Sequence, residues 1–123
     1  MHGLYTTGKE TVKKLVEIAK ENDLPIHMHF CENAKEVEDI KKGYGVGSPV
    51  DALEEYFLGT KMILAHAVKL TDKEIERMKR LNVSISHCPV SNLRLGCGVA
   101  KVQDMLNSRN KCMSWNRWAR KWL

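Results

Sequence analysis

The sequence predicts an α/β fold built on parallel strands, and three observations predict it. Segments with apolar residues at helical spacing alternate with short apolar runs of strand length. Capping signals stand ahead of several of the helical segments. A helix fits between each apolar run and the next, which implies parallel strands joined by right-handed crossovers. The length of 123 residues suits one domain.

Thr7-Gly8-Lys9-Glu10 has the Thr-x-x-Glu form of a capping box, and Val12, Leu15, Val16 and Ala19 follow at helical spacing. Asn22-Asp23 ends that helix and Pro25 opens a strand, Ile26-His27-Met28-His29-Phe30. A polar helix around 34–42 leads into the loop Gly43-Tyr44-Gly45-Val46-Gly47. Ser48 as N-cap and Pro49 at the first helical position start the next helix, whose stripe is Val50, Leu53, Tyr56 and Phe57. The second strand is 61–66. Thr71-Asp72-Lys73-Glu74 is another capping box, flanked by the staple pair Leu70 and Ile75. The third strand is 83–87, and a last helix covers 99–106.

Bulk properties narrow the function. Hydrophobic residues make up 43% and charged residues 28%, ordinary for a soluble globular protein. No apolar run approaches the roughly 20 residues of a membrane span, and Met1-His2-Gly3-Leu4-Tyr5 lacks the regions of a signal peptide. Cys31, Cys88, Cys97 and Cys112 form no C-x-x-C pair, which predicts a reducing, cytoplasmic setting. The net charge is +5, yet residues 1–108 hold fifteen basic and fifteen acidic residues. The excess sits in Arg109, Lys111, Arg117, Arg120 and Lys121, beside Trp115, Trp118 and Trp122. A basic, Trp-rich end can bind a membrane surface or single-stranded nucleic acid. Neither partner is expected, for a reason given below.

Three predicted strands carry a histidine at or near their carboxyl ends: His29, His66 and His87. That is where loops converge and ligands bind in parallel α/β proteins. Imidazole suits zinc or iron, and a neighbouring carboxylate can move protons for a metal-activated water. Glu32, three residues after His29, stands where it can do that. His27 and His29 share one strand face and form an H-x-H pair, a weak signal because two-residue spacing recurs by chance.

The segments His29-Phe30-Cys31-Glu32, Leu64-Ala65-His66-Ala67-Val68-Lys69-Leu70 and Ser86-His87-Cys88-Pro89-Val90-Ser91-Asn92-Leu93-Arg94-Leu95-Gly96, in this order, resemble the amidohydrolase superfamily. Within it they look most like the methylthioadenosine/S-adenosylhomocysteine deaminases. The resemblance covers residues 1 to about 108 and implies a partial (β/α)8 barrel, roughly strands five to seven with their helices. It makes His29 a ligand to zinc or another divalent metal and Glu32 the general acid/base. His66 becomes the residue that orients the hydroxide nucleophile and the leaving group. His2 takes the place of the family's substrate-contacting histidine, and His87 and Asn92 line or brace the site. His27 is not a ligand in the family pattern. The implied substrate is a small nucleoside, whose amino-bearing ring carbon is attacked by water with loss of ammonia.

The family pattern also calls for an H-x-H on the first barrel strand and an aspartate in a Leu-Gly-Thr-Asp-Gly context after the last helix. Neither is in the sequence. A +1 shift of frame through 113–118, with a UCN codon at Ser114, permits Cys-Leu-Gly-Thr-Asp-Gly and forces both glycines from Trp115 and Trp118. Residues 1–108 are therefore expected to be a barrel fragment, and 109–123 a non-native, out-of-frame basic tail, which the gene's nucleotide sequence decides. A complete barrel takes about 250 residues. The chain is expected to bind metal poorly, to be inactive alone and to self-associate through unpaired strand edges. The alternatives are a guanine deaminase-like or chlorohydrolase-like amidohydrolase, or a non-catalytic remnant acting as a binding module. A cytidine-deaminase zinc site is excluded, since the H-x-E and P-C-x-x-C signature is absent.

Overall fold

The computed structural model describes residues 1–107 and 111–114. A 3-10 turn at Leu4–Thr6 precedes α1 (Lys9–Glu21), β1 (Ile26–Phe30), α2 (Ala34–Tyr44), α3 (Pro49–Tyr56) and β2 (Met62–His66). Then come α4 (Asp72–Met78), β3 (Val83–His87), α5 (Pro89–Arg94), α6 (Val102–Asn107) and β4 (Lys111–Ser114). The strands form one sheet in the order β1-β2-β3-β4, every neighbouring pair parallel. This is the α/β, partial-barrel arrangement the sequence predicts.

Alternation along the strands explains where the core sits. Ile26, Met28 and Phe30 of β1, Met62 and Leu64 of β2, and Val83 and Ile85 of β3 are in register on one face and buried. They meet helix residues such as Val16, Ile40, Leu53 and Met105. The helices form a continuous layer, α1 and α2 packing on α3, α3 on α4 and α4 on α6. The opposite face presents His27, His29, Ile63, Ala65, Ser84 and Ser86.

Several local expectations need correction. The first helix starts at Gly8 as N-cap with no side-chain hydrogen bond, so Thr7-Gly8-Lys9-Glu10 is not a capping box. Ser48 and Thr71 do cap α3 and α4, each within a reciprocal box. Helix α5 went unpredicted, because Cys88-Pro89 interrupts any periodic stripe, although proline at the first helical position is a start signal. The last helix begins at Val102 rather than at 99. A fourth strand, β4, lies past residue 108, where the sequence reading placed no native element. Backbone pairing does not depend on side-chain identity, so a segment of any sequence able to extend can supply it. The Trp-rich stretch 115–123 lies outside the described residues, where no helix is long and apolar enough to cross a membrane.

Candidate functional site

The loop between β1 and α2 is built around a buried carboxylate. Cys31 takes a left-handed φ of 52°, uncommon for a residue with a Cβ and held only when the surroundings impose it. Glu36, 3% exposed, imposes it. Its Oε1 accepts from the Cys31 amide at 2.8 Å and its Oε2 from the Glu32 amide at 2.9 Å. Asn33 caps α2 by accepting from the Glu36 amide, which fixes where that carboxylate starts. Burial pushes the Glu36 carboxyl above its ordinary value, and the two amide hydrogen bonds oppose the shift.

Strand β2 ends in a second strained corner, with φ of 76° at His66 and 50° at Ala67. The Ala67 amide donates to the Phe30 carbonyl at 2.9 Å, and the Val68 and Lys69 amides both donate to the Cys31 carbonyl. The mouths of β1 and β2 are thus laced together by main chain.

His29 is oriented by the chain that precedes it. Both its amide and its ring Nδ1 lie 2.9 Å from the carbonyl oxygen of His2. A carbonyl oxygen only accepts, so Nδ1 carries the proton and Nε2 keeps its lone pair. The His2 ring sits edge-on to that of His29, centroids 4.8 Å apart, with its Nδ1 3.0 Å from the Thr6 hydroxyl. The His66 ring stacks on the other side of His29 at 5.3 Å. His66 Nδ1 is 2.7 Å from Asn92 Oδ1 and 3.4 Å from Glu32 Oε1. Five residues expected at the site, His2, His29, Glu32, His66 and Asn92, therefore form one cluster.

His87 stands apart. Its Nδ1 is buried without a hydrogen-bond partner among the described residues, and burial holds its pKa below the usual histidine value. No hydrogen bond or ring contact joins it to the cluster among the described residues. His27 is exposed on β1, with its carbonyl accepting from the Met1 amino group.

The donor chemistry fits part of a divalent-metal site. An imidazole with free Nε2 and a nearby carboxylate are borderline-hard ligands of the kind zinc takes. Among the described residues no three His, Cys, Asp or Glu side chains converge closely enough to hold an ion. Cys31 is no alternative nucleophile, because burial pushes its thiol well up and keeps it protonated. Beside the cluster opens a cavity of about 700 Å³, lined by His66, Cys88, Ser91, Arg94 and Leu95 among others. That is within the range of small-molecule sites.

Sequence reasoning missed Glu36, Asn33 and the His2 carbonyl. The Asn33-x-x-Glu36 spacing was a readable capping signal. The carbonyl left no side-chain signal.

The family model described as the amidohydrolase family matches residues 1–114. A 5-methylthioadenosine/S-adenosylhomocysteine deaminase of Aquifex aeolicus is 43% identical over 104 residues, covering 84% of this chain and 24% of the relative. A 5'-deoxyadenosine deaminase of Methanocaldococcus jannaschii is 38% identical over 107 residues, 85% of this chain and 25% of the relative. Among solved structures, an adenosine deaminase from Xanthomonas campestris with bound zinc superposes with a TM-score of 0.83 at 29% identity, over 92% of this chain and 26% of that one. A guanine deaminase from C. acetobutylicum with bound guanine gives 0.81 at 27%, over 89% and 27%. The chain spans about a quarter of the length of these relatives.

Proposed function

We propose, on the premise that the chain belongs to the amidohydrolase family, that its residues form part of the catalytic centre of a divalent-metal aminohydrolase acting on adenosine-like nucleosides. One observation carries the reading: Glu32, His66 and His29 gather at one sheet mouth, with 3.4 Å between Glu32 and His66 and 5.3 Å between the two rings. The substrates in the names of the matched deaminases, methylthioadenosine and S-adenosylhomocysteine, supply the substrate class. The three free cysteines among the described residues fit a reducing, cytoplasmic setting.

His29, with Nε2 left unprotonated, would hold the metal on this chain's side, zinc in the first instance. Bound there, a divalent cation lets water act as a nucleophile near neutral pH. Glu32 takes the proton from the attacking water as its oxygen bonds to the ring carbon that bears the amino group. Glu32 returns that proton to the departing nitrogen, the carbon–nitrogen bond breaks, and ammonia leaves. His66 faces the same reacting centre and orients the nucleophile and leaving group. His2, whose ring centroid lies 4.8 Å from that of His29, contacts the substrate.

A zinc site takes about three or four protein ligands, and the described residues do not gather that many. The 123-residue chain assayed by itself with added zinc is expected to release no ammonia from methylthioadenosine at an enzyme-like rate. The decisive experiment grafts residues 1–107 in place of the matching segment of the Aquifex aeolicus deaminase. We expect a zinc-loaded chimera that deaminates methylthioadenosine, with Glu32→Gln slowing it by about 10²–10⁴-fold. A folded, zinc-loaded chimera without activity overturns the reading, as does an unaffected Glu32→Gln. We further propose that copies of the chain associate, because β1 and β4 are outer strands and Val90, Leu93 and Leu95 stand 60–66% exposed on and beside α5.

A further inference from the structure

We infer that Asn92 is a positioning residue that holds His66 in its Nδ1-protonated tautomer and withholds that proton from Glu32. The catalytic meaning rests on the deaminase reading above, whereas the geometry stands by itself.

Two acceptors face one nitrogen. His66 Nδ1 lies 2.7 Å from Asn92 Oδ1 and 3.4 Å from Glu32 Oε1. A carboxylate beside Nδ1 favours a proton there, so the asparagine presents its oxygen and His66 Nδ1–H donates to it. The shorter contact takes the hydrogen bond and the carboxylate stays just outside bonding range. Nε2 is then left with its lone pair, as at His29.

The amide is held for this contact and little else. Asn92 is 1% exposed, and its Nδ2 is buried without a hydrogen-bond partner among the described residues. An asparagine kept for packing or for general polar satisfaction would use both ends of its amide. Its backbone is pinned on both sides, the amide donating to the Cys88 carbonyl and the carbonyl accepting from the Cys97 amide. Helix α5 therefore delivers the Asn92 oxygen to a fixed point beneath a residue whose own backbone is strained at φ 76°. With that oxygen absent, Glu32 is the next acceptor for the Nδ1 proton. A Glu32 engaged with His66 is no longer available to move protons on a substrate.

Ring-nitrogen NMR of the 15N-labelled 123-residue chain tests this without substrate or metal, so it is independent of the deaminase reading. Wild type and Glu32→Gln are both expected to show His66 as the Nδ1–H tautomer. In Asn92→Leu the Nδ1 proton turns to Glu32, 3.4 Å away, and its resonance moves away from the wild-type position, or the species gives way to an Nε2–H population. Asn92→Asp, which retains the shape and an acceptor oxygen, restores the Nδ1 proton and moves its resonance downfield through a charge-assisted bond. His87, whose Nδ1 is buried, reports on folding in the same spectra. Should Asn92→Leu not fold, Glu32→Gln and Asn92→Asp still decide. An Nε2–H tautomer in wild type overturns the proposal. Loss of Nδ1–H in Glu32→Gln, an unchanged Asn92→Leu, or an Asn92→Asp proton that does not move does the same.

Discussion

Glu36 gives both carboxylate oxygens to main-chain amides, those of Cys31 and Glu32, and to no cation. Replacing it by alanine leaves two donors without an acceptor, at about 1–3 kcal/mol each, so urea unfolding should show a loss of about 2–6 kcal/mol. Its pKa shift sets a sign. Because burial raises the folded value above 4.5, this group's contribution is complete below 4.5 and declines as pH climbs through the raised value. The stability gap between wild type and Glu36→Gln should therefore drift against wild type as pH rises from 4.5. A gap that grows in favour of wild type over that window would sink the account. The sequence showed His29, Glu32 and His66 because strand mouths are where such residues do chemistry. The Asn33-x-x-Glu36 spacing marked Glu36 as a helix-start residue, but not that its carboxylate holds the Cys31 and Glu32 amides. The His2 ring was legible as a site residue, whereas its carbonyl, which sets the His29 tautomer, was not.

At the scale of elements, α3 and α4 are joined through one acid. Glu74 accepts from the Thr71 amide and hydroxyl and from the Ser48 hydroxyl, so the box that starts α4 also grips the N-cap of α3. Arg77 adds a second tie from α4 to Asp51 and Glu54 of α3. Burial pushes the Glu74 carboxyl up, but the hydrogen bonds from Ser48 and Thr71 outweigh it and hold the value below 4.5. Its stabilisation is present above 4.5 and is lost as pH falls through the lowered value. Thr71→Ala should cost about 1 kcal/mol near neutrality and blunt the acid sensitivity. Thermal melts between about pH 3 and 6 measure both, and an unchanged acid limb would refute the Glu74 assignment. The Thr71 box and the Ser48 N-cap were readable because threonine and serine stood directly before helical stripes, whereas the reciprocal bond from the Ser48 amide to Asp51 was not. Thr7-Gly8-Lys9-Glu10 has the same letters but not the same structure. The helix starts one residue later, so the glycine, not the threonine, is the N-cap.

For the whole molecule, the sheet face opposite the helices governs behaviour. It carries His27, Ile63 and Ser84 in partly or fully exposed positions, and Val90 and Leu93 of α5 are exposed as well. An open parallel sheet with such a face is unusual, since these sheets are normally covered on both sides. Sedimentation velocity should show the average mass rising with protein concentration. Leu93→Lys together with Val90→Lys should reduce that rise, and a monomer at every concentration would contradict it. The alternation of strands and helices made the layer order legible, but β4 had no apolar pattern to announce it. It joins the sheet through its backbone in register with β3.

The left-handed corner at His66 and Ala67 has one further consequence. Because Ala67, Val68 and Lys69 all donate back to the end of β1 and the residue after it, the two halves of the cluster share a single covalent and hydrogen-bonded frame. A ligand arriving there meets a preset shape and cannot draw one strand end toward it without breaking three main-chain hydrogen bonds at once. Recognition at this mouth is therefore rigid docking, and any adaptation to different guests falls to side chains rather than to the backbone beneath them.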